Sequence, residues 1–171
     1  AVRKVRSRTM RSLLFILPLT GLRIAEACDD RSVGSKGLTK AAIVRSNNEY
    51  FLRVHGKMEK TRTVPLVGKA KELVLDIAQG KKIDEKLFDV NPSSVRYHMR
   101  RIAKKIGVNR LYTHLMLHSF ITDLLVNREV PLPVVMELAG HSSAATTMTY
   151  AHPTLEKKRV AVGKLGYMKD A

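Results

Sequence analysis

Residues 140–150 run Gly140-His141-Ser142-Ser143-Ala144-Ala145-Thr146-Thr147-Met148-Thr149-Tyr150, with Tyr150 nine positions after His141. The stretch 143–150 reads as a short helix, and 131–139 before it as another, opened by Pro131 after Val130. Further towards the amino terminus, the segments 114–128, 92–106 and 70–79 also read as helices, and Pro92 after Asn91 marks a second helix start. The apolar stretch 9–18 is expected to form a buried helix that Pro18-Leu19-Thr20-Gly21 breaks. Leu22, Ile24, Ala25 and Cys28 then resume helical spacing, so that Arg23 and Glu26 stand at i and i+3. Between these helical halves the period changes. The runs AAIVRS (41–46), EYFLRVHG (49–56) and TRTVPLV (61–67) are β-rich, and Asn47-Asn48 and the segment 56–60 separate them. The polar, Gly/Ser-rich stretch 29–40 reads as a loop. The expected fold is mainly α with a small antiparallel β-sheet, an α+β domain without internal repeats.

Length and charge narrow the class. At 171 residues the chain is long enough for one domain with a real hydrophobic core. It has 31 Lys+Arg against 15 Asp+Glu, a formal net charge of +16. Such an excess favours a polyanionic partner, because phosphate backbones release counterions when Lys and Arg bind them. Helix 92–106 concentrates the charge in Arg96, Arg100, Arg101, Lys104 and Lys105, several of them on one face, which suits contact with phosphates. No apolar run is long enough to cross a bilayer, and the basic start lacks the cleavage region of a secretory signal. The expected location is therefore the cytoplasm. The single cysteine, Cys28, excludes a disulfide framework and a Cys-rich zinc site. His114 and His118, at i and i+4, have no carboxylate at a metal-ligand spacing, so neither a metal nor any other cofactor is expected.

Four separated segments carry chemistry: Thr20-Gly21-Leu22-Arg23-Ile24-Ala25-Glu26; Gly56-Lys57 before Thr63-Val64-Pro65-Leu66; His114-Leu115-Met116-Leu117-His118-Ser119-Phe120; and Gly140-His141-Ser142-Ser143 with Tyr150. In this order, over about residues 10–160, they resemble the catalytic domain of the tyrosine recombinases, the lambda-integrase-like family that includes the Xer recombinases. The resemblance implies transesterification at a DNA phosphodiester. A tyrosine attacks phosphorus, a 3′-phosphotyrosine forms and a 5′-hydroxyl leaves, without ATP or metal. On this pattern Tyr150 is the nucleophile; Tyr112 and Tyr167 are lesser candidates. Arg23 is the first phosphate-binding arginine, suited to it because a planar guanidinium binds two non-bridging oxygens at once. Lys57 is the β-hairpin lysine that protonates the leaving oxygen, with Lys60 as its rival. His114 opens the His-x-x-Arg motif and His141 donates to a phosphate oxygen. Glu26 supports the arginine helix, and His118 is an ordinary helix residue behind the site.

One position departs from the pattern. Three residues after His114, where the motif calls for its second arginine, stands Leu117. Arg110 replaces that charge only if its loop folds inward. Losing one preorganised charge donor costs about 10²–10³-fold in comparable sites, so slow cleavage or none is expected. The rival readings are a catalytically idle DNA-binding regulator of the same fold, a type IB topoisomerase-like enzyme, and a basic RNA-binding protein. The resemblance also implies double-stranded DNA as partner and a homotetramer on paired sites, with a monomer in the absence of DNA. Residues 1–171 are expected to be the catalytic domain alone, without the family's amino-terminal core-binding domain, and residues 155–171 to be a tail that docks on a neighbour. Acting on DNA, the protein is expected at the nucleoid.

Overall fold

Ser7 starts the first helix, α1 (Arg8–Thr20), by accepting the Met10 N–H on its hydroxyl at 3.3 Å. The helix buries Met10, Leu13, Leu14, Ile16 and Leu17, a stripe at i, i+3, i+4, i+7. Each such side chain contributes roughly 1.5–3 kcal/mol through its removal from water. The sequence suggested a break at Pro18, but α1 continues through it to Thr20. Proline so close to the end removes only the bond to the Leu14 carbonyl, and the buried Thr20 hydroxyl donates to the Ile16 carbonyl at 2.8 Å.

The computed structural model describes all residues except 1, 3, 4, 31, 57–59, 110, 151–158 and 160–171. After α1 comes a single turn, α2 (Ile24–Ala27). The stretch read as a loop over 29–40 contains two short strands, β1 (Asp29–Asp30) and β2 (Ser35–Lys36), paired antiparallel. Two-residue strands carry too little pattern to be read from sequence. The main sheet is β3 (Ile43–Ser46), β4 (Glu49–His55) and β5 (Thr61–Leu66), antiparallel in the order β3-β4-β5. Asn47 and Asn48 both take positive φ, 47° and 63°, which suits the two-residue turn that joins β3 to β4. Proline is tolerated at position 65 because β5 is an edge strand.

Helices fill the remainder: α3 (Gly68–Ala78), α4 (Pro92–Ile106), α5 (Thr113–Thr122), α6 (Leu132–Ala139) and α7 (Ala144–Met148). The helix expected over 114–128 divides: α5 gives way to a π turn over Asp123–Asn127, where Asn127 and Arg128 both donate to the Asp123 carboxylate. The resulting fold is mostly helical with small antiparallel sheets. The main core joins α1 to Leu52, Val54, Val64 and Leu66 of the sheet, to Val74 and Ile77 of α3, and to Val95 and Met99 of α4. Cys28 belongs to it as an inert side chain, since burial, then Asp29 and Asp30, push its thiol up to about 12. A second, smaller cluster joins Leu117 and Ile121 of α5 to Val135 and Ala139 of α6, and Tyr150 packs against it.

Candidate active site

Arg23 sits just after the turn that ends α1. Gly21 makes that turn with φ 65°, and a side chain there would stand 2.6 Å from the Phe120 ring of α5, so only glycine fits. Arg23 then starts α2, and its backbone N–H donates to Glu26 Oε2 at 2.7 Å, one half of a capping box. Its side-chain Nη1 donates to Glu26 Oε1 at 3.0 Å.

A second guanidinium meets the same carboxylate. Arg62 Nη1 and Nη2 donate to Glu26 Oε1 and Oε2 at 2.7 and 2.9 Å, and Arg62 Nε donates to the Leu138 carbonyl near the end of α6 at 3.0 Å. The side chains of Arg62 and Glu26 are 8% and 7% exposed, whereas that of Arg23 is 30% exposed. Burial alone would raise the Glu26 carboxyl, but the hydrogen bonds and charge of Arg62, with those of Arg23, hold it below its ordinary value. The cluster of two cations and one anion keeps a net positive charge, and Arg23 is its solvent-facing member.

Gly140 closes the other side. It takes φ 65° after α6, and a Cβ there would lie 2.9 Å from Arg62 Nη1 and 3.3 Å from Arg23 Nη1. The backbone thus passes directly over both guanidiniums and delivers His141 beside them. The His141 N–H is anchored to the Met136 carbonyl at 2.9 Å, and ring Nδ1 pairs with the fully buried Thr147 hydroxyl at 2.9 Å. Burial, then the charges of Arg23 and Arg62, lower the His141 pKa, so the ring is neutral at pH 7. Tyr150 follows α7, with its N–H on the Thr147 carbonyl at 3.1 Å. Its ring stacks against His141 with centroids 6.4 Å apart and takes His118 edge-on at 4.3 Å. Segments from both ends of the chain therefore meet in one half-open site that offers cations, a neutral imidazole and a phenol.

Residues 2–157 match the phage integrase family. The chain belongs to that family. A tyrosine recombinase of Pseudothermotoga lettingae is 32% identical over 161 residues, covering 90% of this chain and 52% of that protein. Among solved structures, the XerH site-specific recombinase bound to its difH substrate superposes with a TM-score of 0.73 at 24% identity, over 94% of this chain and 49% of that one. The catalytic domain of bacteriophage HP1 integrase gives 0.67 at 22% identity, over 98% and 89%. The chain spans about half the length of the curated relatives it matches.

Of the residues singled out from sequence in this phage integrase family member, the fold brings together Arg23, His141 and Tyr150. His114 is exposed in the first turn of α5. Lys57, Arg110, Tyr167 and the rest of the tail apart from Arg159 lie outside the described residues; Lys60, the rival of Lys57, is exposed immediately before β5. Leu117 is buried in the small cluster beneath Tyr150. His118, expected behind the site, meets the Tyr150 ring edge-on. Arg96, Arg100, Arg101, Lys104 and Lys105 are all exposed on α4, opposite buried Val95, Met99, Ile102 and Ala103. Arg96 lies 3.4 Å from Asp30, and Arg100 and Lys104 border a surface cleft with Tyr112. Among the described residues, no His, Cys, Asp and Glu group of three or more could hold a metal, and no helix is long and apolar enough to cross a membrane.

Arg62 and Thr147 were missed. Thr147 carries no sequence signal. Arg62 did carry one: in Thr61-Arg62-Thr63-Val64-Pro65-Leu66 it shares the period-2 face of Val64 and Leu66, so a charge points into the core and requires a buried partner.

Proposed function

We propose that residues 1–171 form the catalytic domain of a site-specific DNA recombinase that breaks and rejoins double-stranded DNA through a 3′-phosphotyrosine. The observation that carries the reading is the meeting of Arg23, His141 and Tyr150 around one preformed positive centre. In the forward step Tyr150 Oη attacks phosphorus, the bond to the 5′-oxygen breaks, and the phenolic proton leaves to a nearby base or solvent. Arg23 stabilises charge on the non-bridging oxygens, and its bonds to Glu26 already hold it in place, so little reorganisation is needed as that charge develops. With Nδ1 accepting the Thr147 hydroxyl hydrogen, His141 carries its own hydrogen on Nε2 and donates it to a phosphate oxygen. His114 contacts the same phosphate. Lys57 protonates the leaving 5′-oxygen, a role suited to an ammonium on a long side-chain stem. The reverse attack by a 5′-hydroxyl from another strand completes the exchange with balanced bonds.

DNA lies along the exposed α4 face, where Arg96, Arg100, Arg101, Lys104 and Lys105 bind backbone phosphates. Four protomers act on paired sites, with 155–171 docking on a neighbour; without DNA the chain is a monomer. A DNA substrate locates the protein at the nucleoid in the cytoplasm. Leu117 supplies no charge where the motif requires one, so cleavage by this sequence is slow. That buried leucine also favours a second reading, a DNA-binding regulator of the same fold that does not cleave.

The test is a denaturing gel for covalent protein–DNA adducts on a pool of nicked duplexes with randomised arms. An adduct from this chain or from Leu117→Arg that Tyr150→Phe abolishes supports the recombinase. DNA binding with no adduct from either version would leave the regulator in its place.

A further inference from the structure

The guanidinium of Arg62 is too enclosed to bind DNA, and its three nitrogens are already committed to Glu26 and to the Leu138 carbonyl. From this geometry we infer that Arg62 is a positioning residue: it holds the Glu26 carboxylate so that Arg23 faces the scissile phosphate, and it ties the end of α6 so that Gly140 and His141 stand over the same point. The inference rests on the recombinase reading of the site. It assigns work to a residue outside the motif positions.

First, Glu26 is shared. Both of its oxygens accept from the Arg62 fork, while Arg23 takes only Oε1 with its side chain and Oε2 with its backbone. Without Arg62, a buried carboxylate would have a single cationic partner and would draw the Arg23 fork fully onto itself, leaving less of it for a phosphate. Second, the Arg62 Nε bond to Leu138 fixes the last turn of α6 from β5, two residues before Gly140. Gly140 fits against the Arg62 plane only because it lacks a side chain. Third, the exposures divide the labour: Arg23 is open enough to meet a ligand and Arg62 is not. Arg62 therefore does not replace the charge missing at Leu117.

The test compares Arg62→Met and Arg62→Lys in the Leu117→Arg background, with Tyr150→Phe as the chemical control. Three quantities are measured: the single-turnover rate of adduct formation, DNA affinity, and the His141 ring titration by NMR. Arg62→Met is expected to lose about a hundredfold in rate with DNA affinity within twofold, and to raise the His141 titration. Lysine keeps the charge near His141 but cannot make the fork and the Leu138 bond together. Arg62→Lys should therefore keep the His141 titration near the parent value while still losing tenfold or more in rate. Rates equal to the parent in either folded variant would overturn the inference, as would an unchanged His141 titration in Arg62→Met. If Arg62→Met does not fold, Arg62→Lys decides alone. Failure of the underlying reading is distinguishable, because the Leu117→Arg parent itself would then give no Tyr150-dependent adduct, and the inference would fall with it.

Discussion

Leu117→Arg should make the protein a faster enzyme and a less stable one. Leu117 is 4% exposed and packs with Ile121, Val135 and Ala139, flanked by Phe120, Leu124, Leu125, Val130 and Tyr150. Removing the leucine forfeits about 1.5–3 kcal/mol of apolar burial. The methylene stem of arginine recovers part of this, but the guanidinium must leave the cluster for a more polar position. A net loss of about 1–2 kcal/mol corresponds to a melting temperature lower by roughly 2–8 °C for a chain of this size. On the chemical side, one preorganised donor contributes about 2.7–4 kcal/mol at the transition state, or about 10²–10³-fold in adduct formation. Calorimetry and single-turnover quench on one nicked duplex measure both. Leu117→Lys, a charge without the fork, should lose similar stability and gain less rate. The reasoning is refuted if Leu117→Arg melts with the parent, which would mean that the leucine is not packed as described. It is refuted equally if the variant folds and binds DNA but cleaves no faster.

Gly140→Ala must place a Cβ 2.9 Å from Arg62 Nη1 at φ 65°; strain of about 1–2 kcal/mol, before any displacement of the two arginines, should lower the melting temperature by roughly 2–8 °C. A melting curve that coincides with the parent's would count against the close approach. Thr147→Val leaves His141 Nδ1 without its buried partner and should cost about 1 kcal/mol of stability, together with a slower adduct that added imidazole does not restore. Acid should destabilise the fold in two windows. The folded pKa of His141 lies below its ordinary 6.5, so the unfolded chain takes up the proton first and stability falls as pH drops below about 6.5. The folded pKa of Glu26 lies below 4.5, so its contribution is complete above that value and is lost as pH falls through the lower, folded one. Asp30, Glu85 and Asp123 are depressed as well, so Glu26→Gln should shrink the lower window without abolishing it, as thermal melts across pH would show.

Local features were legible in the sequence for local reasons. Arg23 and Glu26 are three residues apart, so spacing related them, while Gly140, His141 and Tyr150 lie in one short stretch that the family resemblance singled out. The Asn47-Asn48 turn and the start at Pro92 were legible for the same reason, since each depends on the backbone preferences of its own residues. What escaped depended on distant partners. Pro18 remains helical because it falls in the last turn of α1, where only one bond is lost. Arg62 acquires its meaning from Glu26 at a separation of 36 residues and from Leu138 at 76. The meeting of His118 with Tyr150 depends on how α5, α6 and Tyr150 pack together, which no single segment encodes.

The Arg62 bond to the Leu138 carbonyl also bears on the order of events during synthesis. Contacts that join residues so far apart form late, since the intervening chain must first be ordered. A nascent chain emerges amino terminus first. It would hold Arg23 and Arg62 long before it held Leu138, Gly140 or Tyr150. The cluster of Arg23, Arg62, His141 and Tyr150 therefore cannot be assembled piecemeal, and an unfinished polypeptide does not present it.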